Sequence, residues 1–349
     1  MGIGKSTAVR DHATTRSFGD RIEHRFGGRV TVAAAGEFGL ISRVTARLGA
    51  ESPYVLLGPG DDAALVATPD RRVVASTDVL VEGRHFRRDW SSARDIGHRA
   101  AAANLADIAA MGGRPTALLV ALCAPANLQI SWAEELADGL AAEAAKTGAI
   151  VVGGDTSASP TLTIAVTALG DLEGREPVVR TGAQPGDIVA VAGRIGHAAA
   201  GYTILSRGFR SPKLLVEAFR RPEVPYHLGP LAARLGATSM IDISDGLLAD
   251  LGHIATASDV GIDVRRDAFT VPAQMRDAAT ALGVDPYGWI LAGGDDHALA
   301  ATFPADTELA AEWLVVGSVL PAGPFTAGGG VTVDGRRYTG GAPGWDHFR

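Results

Sequence analysis

From "GEFGLISRVTARLG" at residue 36 onward, apolar positions come in short runs separated by turn formers, and the runs follow two periods. "RRVVAST" and "ALLVALCA" are apolar runs of strand length, and "TLTIAVTALG" (161–170) alternates strictly, as a half-buried strand does. Residues 93–113, "ARDIGHRAAAANLADIAAMGG", read as a helix with a glycine stop. In "SWAEELADGLAAEAAKTG" Ser131 is placed to cap a second helix, with Glu134 three positions on and Gly148 at the end. The strand "AIVVGGD" follows. "TGAQPGD" (181–187) concentrates turn formers and marks the joint between two lobes. Beyond it come "IVAVAG", a helix over 197–207, a helix over 245–258, and the strand-like pieces "ALAATF", "WLVVGSV" and "VTVDGRRYT". The pattern is mixed α and β without a repeat of fixed period.

The 349 residues fit two domains of ordinary size. With 46% hydrophobic and 20% charged residues the composition is that of a globular chain. A net charge of −7 speaks against a nucleic-acid surface, which needs a basic footprint. It leaves nucleotides open, because cations can bridge acidic residues to phosphates. The single cysteine, Cys123, excludes an intrachain disulfide and reads as a buried core thiol. No apolar run crosses a bilayer and no signal-peptide pattern opens the chain, so the expectation is a cytoplasmic protein. Residues 1–35 read as an extension; the "GIGKST" within them lacks the first glycine of a phosphate loop and the strand before it.

Candidate chemistry lies in a series of aspartates. "VLLGPGDDAALVATPD" sets Asp61 and Asp62 behind Gly58-Pro59-Gly60. "STD" ends with Asp78 and closes the strand "VVAST"; "NLAD" puts Asn104 and Asp107 on one helix face. "VVGGDTS" sets Asp155 at a strand end, "IDISDGLLADLGHI" holds Asp242 and Asp245 around Ser244, and "LAGGDDHAL" ends another strand with Asp295 and Asp296. Ligands in α/β proteins bind beyond the carboxyl ends of strands, where glycines admit phosphates and hard oxygens suit Mg²⁺. Turn chemistry alone explains any one of these stretches.

Electrostatics connects them. Two carboxylates about 4 Å apart repel by roughly 1 kcal/mol even in water. Five converging ones would require cations or protons. The only lysines are Lys5, Lys146 and Lys213, none beside a Gly-Asp motif, so bound phosphates would rely on metals, backbone N–H groups and arginines. Arg180, in "VVRTGAQPGD", is the best placed; spacing alone equally allows a solvated linker charge.

"GEFGLI", "GPGDDAAL", "STDVLVEGRHF", "NLADIAAMG", "VVGGDTS", "RTGAQPGD", "IDISDGLLADLGHI", "LAGGDD" and "GWDHF", in this order, resemble the motifs of thiamine-monophosphate kinases over residues 36–349. The resemblance implies a mixed α+β/α/β, two-domain fold like that of aminoimidazole-ribonucleotide synthetase. It implies an N-terminal domain (36–180) that binds ATP and Mg²⁺ and carries a dimer-forming sheet, and a C-terminal α/β domain (181–349) that completes the site. It further implies Mg²⁺- and ATP-dependent phosphorylation of thiamine monophosphate to the diphosphate by a homodimer. Carried onto this chain, it makes Asp61, Ser76, Thr77, Asp78, Asp107, Asp155, Asp242 and Asp245 metal ligands, with Asp62 behind them. Gly154, Asp155, Arg180 and Ser244 become ATP contacts, and His85, Asp295 and Trp345 substrate contacts.

The chain departs from the family at "GGDDHALA", where Gly-Gly-Glu-Asp-Tyr-Glu is usual. Asp295 thereby stands, one methylene shorter, where a substrate-contacting Glu is expected, and His297 and Ala298 replace Tyr and Glu. The acceptor in this reading is an anionic phosphate, so no general base is expected and transfer is direct. A nucleotide or metal sensor, or a kin enzyme with another acceptor, remains the alternative.

Overall fold

The computed structural model describes residues 30–48, 52–59, 63–323 and 330–345. Helix α1 (Val32–Thr45) starts behind Thr31, whose hydroxyl accepts from Ala34 N at 3.3 Å. Four residues of the expected extension are thus helical. The short strands β1 (Val55–Leu57) and β2 (Leu65–Val66) pair antiparallel. Asp61 and Asp62 themselves lie outside the described residues.

The first main layer is a four-stranded sheet in the order β3-β6-β4-β5, formed by β3 (Val74–Val81), β4 (Arg114–Ala124), β5 (Ile150–Ala158) and β6 (Thr163–Asp171). Strands β4 and β5 run parallel through a crossover helix, α3 (Ile130–Ala144), while the other pairs are antiparallel. Helix α2 (Ala93–Ala110) precedes β4 and packs beside α3. The alternation read in "TLTIAVTALG" holds: Leu162, Ile164, Val166 and Ala168 are fully buried and the residues between them half-buried.

The second layer is a seven-stranded sheet in the order β13-β12-β9-β11-β7-β10-β8. Its strands are β7 (Ile188–Ala192), β8 (Ser239–Ile243), β9 (Val260–Val264), β10 (Ala298–Phe303), β11 (Trp313–Pro321), β12 (Val331–Val333) and β13 (Arg336–Arg337). One face is covered by α4 (His197–Ser206), α5 (Lys213–Arg220), α7 (Leu247–Ser258), α8 (Ala273–Leu282) and α9 (Pro286–Ala292), around Ile204, Leu215, Leu251 and Met275. The other carries α6 (Leu228–Arg234), around Leu228, Leu299 and Phe303. The buried Glu143 ties the layers together: it accepts from Tyr226 Oη at 2.7 Å and faces His98 Nδ1 at 2.8 Å.

Several expectations are corrected. Ser131 is the second residue of α3, not its cap; the helix starts at Ile130, whose N–H donates to Val30 O at 2.8 Å, so a tertiary contact replaces the side-chain cap. Helix α2 stops at Ala110, because Met111 and Gly112 (φ 73°) turn the chain toward β4. Cys123 is half-buried, since alternation turns it away from the helices that cover Leu122 and Ala124. Asp78 and Asp155 stand within strands, because pairing continues to Val81 in β3 and to Ala158 in β5. "LAGG" ends helix α9: Asp285 caps it, accepting from Tyr287 N at 3.0 Å, and Pro286 occupies its first turn.

Candidate active site

The C-terminal end of α2 lies against β8, and between the two layers opens a cleft of about 900 Å³. Three motifs meet there through their backbones. Asp295 N donates to Ser244 O at 2.8 Å, His297 N to Ile243 O at 3.0 Å, and Trp345 N to Asp245 O at 2.9 Å. Glycines permit this approach: a Cβ on Gly344 would stand 2.8 Å from Asp245 O, and one on Gly294 3.0 Å from the Asp245 carbonyl carbon.

Ser76 and Asp78 project from the face of β3 that meets α2. The Ser76 hydroxyl donates to Asp107 Oδ2 at 2.5 Å, and Asp78 N donates to Asn104 Oδ1 at 3.0 Å. Asn104 is fully buried and donates in turn to Ala100 O, which fixes its amide orientation. Across the cleft, Asp242 Oδ2 faces His297 Nδ1 at 3.1 Å. Burial pushes the Asp107 carboxyl up to about 7, helped by the charges of Asp242 and Asp78 against the opposing Ser76 bond. Burial disfavours a charged His297, yet the bond to Asp242 outweighs it and raises that imidazole above its ordinary value. Asp250 is likewise lifted to about 7, by burial and then by Asp242, while accepting from the N–H groups of Asp245 and Gly246.

Of the residues expected from sequence, Ser76, Asp78, His85, Asp107, Arg180, Asp242, Ser244, Asp245, Asp295 and Trp345 all line this cleft. His85 Nδ1 accepts from Val81 N at 3.0 Å, so its proton resides on Nε2. The side chains of Thr77 and Asp155, and Gly154, are elsewhere. Thr77 alternates to the opposite face of β3, where its hydroxyl donates to Val166 O at 3.0 Å. Asp155 shares a cross-strand row with Ala121, Ala165 and Val79, three strand spacings, or about 14 Å, from β3. Gly154 has a packing reason: a Cβ there would meet the Val120 backbone, with Val120 N at 3.0 Å.

The sequence reading missed three features. Arg99 enters the cleft on the same helical stripe as Ala103 and Asp107, so stepping back by fours from Asp107 would have found it. An aromatic group from both layers closes one end: Trp90 stands edge-on to Tyr202 (centroids 5.8 Å apart) and to Phe219 (6.1 Å). Asp296 points away from the cleft, accepting from Gly196 N at 2.5 Å and Ala198 N at 2.8 Å to cap α4.

The donor set suits hard divalent cations: Asp78, Asp107, Asp242 and Asp245 present oxygens from two layers, and Asp107 is short of positive charge. Ligand atoms of Asp245, Asp250 and His253 lie within 4.8 Å of one another. Asp250 is already engaged there by two backbone N–H groups, so it reads as the helix cap.

The family model "AIR synthase related protein, N-terminal domain" matches residues 60–172, and its C-terminal counterpart matches residues 184–304. A thiamine-monophosphate kinase of Mycobacterium tuberculosis (strain CDC 1551 / Oshkosh) is 47% identical over 319 residues, spanning 91% of this chain and 93% of the relative. The chain belongs to the thiamine-monophosphate kinase family. The kinase of Escherichia coli K12 is 37% identical over 90% of this chain and 99% of its own. The crystal structure of the thiamine-monophosphate kinase of Stenotrophomonas maltophilia K279a superposes with a TM-score of 0.75 at 34% identity, covering 87% of this chain and 98% of that one. A structure of AaThiL complexed with AMPPCP and TMP gives 0.73 at 31% identity, covering 90% and 97%. A hydrogenase maturation protein, HypE, shares the fold alone, at 18% identity and a TM-score of 0.63. Family membership also restores the expected two-domain, mixed α and β architecture.

Proposed function

We propose that this chain transfers the γ-phosphoryl group of ATP to the phosphate of thiamine monophosphate, giving thiamine diphosphate, with Mg²⁺ as cofactor. One observation carries the reading: Asp78 and Asp107 from one layer meet Asp242 and Asp245 from the other in a single cleft, in a chain of this family.

Bound divalent cations would offset phosphate charge and hold two anions in line. The chain's own groups supply the rest. Asp107 must release its proton to bind a cation, and the Ser76 hydroxyl then donates to the anion it leaves. His85, with its proton on Nε2, offers a donor to a phosphate oxygen. Arg180 supplies a fixed positive charge at the rim, and Trp345 an aromatic wall anchored to Asp245. The acceptor phosphate is already anionic, so no residue serves as general base and no phosphoenzyme forms.

The outer face of the four-stranded sheet carries Val79, Leu119 and Ala121 together with Asp155, and Val79 is 47% exposed. In this reading that face joins two copies of the chain in the cytoplasm. Gly154 and Asp155 then serve a phosphate and metal site completed at the dimer face. The halves divide at 181–187, and Asp61 and Thr77 complete the metal set, Thr77 through its backbone oxygen.

The test is turnover of thiamine monophosphate with ATP and Mg²⁺, followed chromatographically, beside a chelator control, Asp155→Asn and light scattering. Metal-dependent product that fails in the variant, from a dimer, supports the reading. ATP binding without product overturns it.

A further inference from the structure

We infer that Arg99 is the positioning residue that sets Asp295 for the acceptor substrate. Arg99 belongs to α2 in the first layer, yet its guanidinium is spent wholly on the second. Nη2 lies 2.7 Å from Asp295 Oδ2, and Nη1 donates to Phe219 O at 3.3 Å. The guanidinium carbon stands 4.6 Å from the centroid of the Phe219 ring. The Arg99 side chain is 10% exposed, whereas that of Asp295 is 45% exposed to the cleft. A planar fork that stacks on a ring and makes two bonds is held in one orientation, which a lysine does not reproduce.

Asp295 needs such a partner. It sits at φ 67° in a loop where His297 also has φ 50°, conformations that L residues adopt at a cost. Its backbone is pinned by Ser244, and its carboxylate is turned toward α2 by Arg99. The short side chain therefore presents one fixed oxygen to the cleft and gives the other to the guanidinium. Asp295 reaches the substrate from a place that the first layer dictates, so acceptor recognition depends on how the two layers are joined. The ATP side of the cleft, around Ser244 and Arg180, makes no bond to Arg99 among those described.

This inference rests on the proposed kinase function, and the experiment separates the two. Full-length wild type, R99M, R99K, D295N and R99M/D295N are compared for KM of each substrate, kcat, calorimetric binding of thiamine monophosphate and Tm. R99M is expected to raise KM for thiamine monophosphate about tenfold, with KM for ATP within about twofold. R99K is expected to recover only a minor part, and the double variant to be no worse than D295N. Effects of R99M and D295N that multiply, or an equal rise in both KM values with a lowered Tm, make Arg99 a structural strut and overturn the inference alone. Wild type that neither binds nor consumes thiamine monophosphate overturns the functional reading and this inference together.

Discussion

His297 holds Asp242: its Nδ1 lies 3.1 Å from Asp242 Oδ2, with both side chains only 7% exposed. The imidazole also offsets part of the negative charge around Asp107. His297→Phe leaves Asp242 buried without this partner, at a cost of about 1–3 kcal/mol. Urea melts of the metal-free variant should show that loss, and His297→Gln, which keeps a donor, should recover part of it. Mg²⁺-titrated melts should need roughly tenfold more metal for half the shift in the Phe variant. Melts that superimpose on wild type would show that the pair does not hold the site.

Three carboxyls, those of Asp107, Asp250 and Asp296, are raised to about 7, in each case chiefly by burial. In the unfolded chain they ionise near 4. Between about pH 4 and 7 the folded protein therefore binds more protons than the unfolded one, so its stability falls as pH rises through that window and levels off above it. His297, raised above its ordinary value, adds stability that is likewise lost as pH rises. The metal-free protein should melt in urea at a higher midpoint at pH 5.5 than at pH 8. Asp107→Asn should raise the metal-free Tm at pH 8 by about 2–4 °C. A midpoint that climbs from pH 5.5 to 8 contradicts this picture.

Asp296 is a structural carboxylate inside a motif that reads as functional. The N-terminal N–H groups of α4 have no side-chain cap from their own helix, because Gly196 (φ 77°) flanks it, and Asp296 supplies both acceptors from just before the neighbouring strand β10. Asp296→Ala should cost about 3 kcal/mol and Asp296→Asn about half of that, since an amide keeps one acceptor. Equal losses in urea unfolding would refute the cap.

These cases show where the sequence was legible. The aspartate motifs pointed to the cleft because carboxylates spread over several elements need a shared cation, and Asp107, Asp242 and Asp245 do line one cleft. The strict period of β6 and the apolar runs of β3 and β4 read correctly as strands, and the structure joins them in the first sheet. Partners from distant elements were invisible: nothing near Asp295 points to Arg99, and nothing near Gly196 points to Asp296. Strand ends were misjudged at Asp78 and Asp155, because pairing with β6 and β4 overrides the local turn signal. No helix among the described residues is long and apolar enough to cross a bilayer.

The close crossing of α2 and α3 carries the last prediction, because it fixes the height of Arg99, Asn104 and Asp107 over the sheet. Gly97 and Gly139 face each other there: a Cβ on Gly97 would lie 2.9 Å from Leu140 N and 3.1 Å from Gly139 Cα. Both atoms are backbone, so neither can swing aside, and the helices would have to separate. Alanine normally favours a helix over glycine by about 1 kcal/mol, so an exposed Gly→Ala change would stabilise. Here the sign reverses: Gly97→Ala should cost about 3 kcal/mol or more and lower kcat as Asp107 moves away from Asp242. Gly148→Ala is the control for backbone strain without a clash, since that residue has φ 80° with nothing near its Cβ, and it should cost only about 1 kcal/mol with kcat unchanged. Losses of equal size, with kcat intact in both, would show that the helix crossing does not set the site.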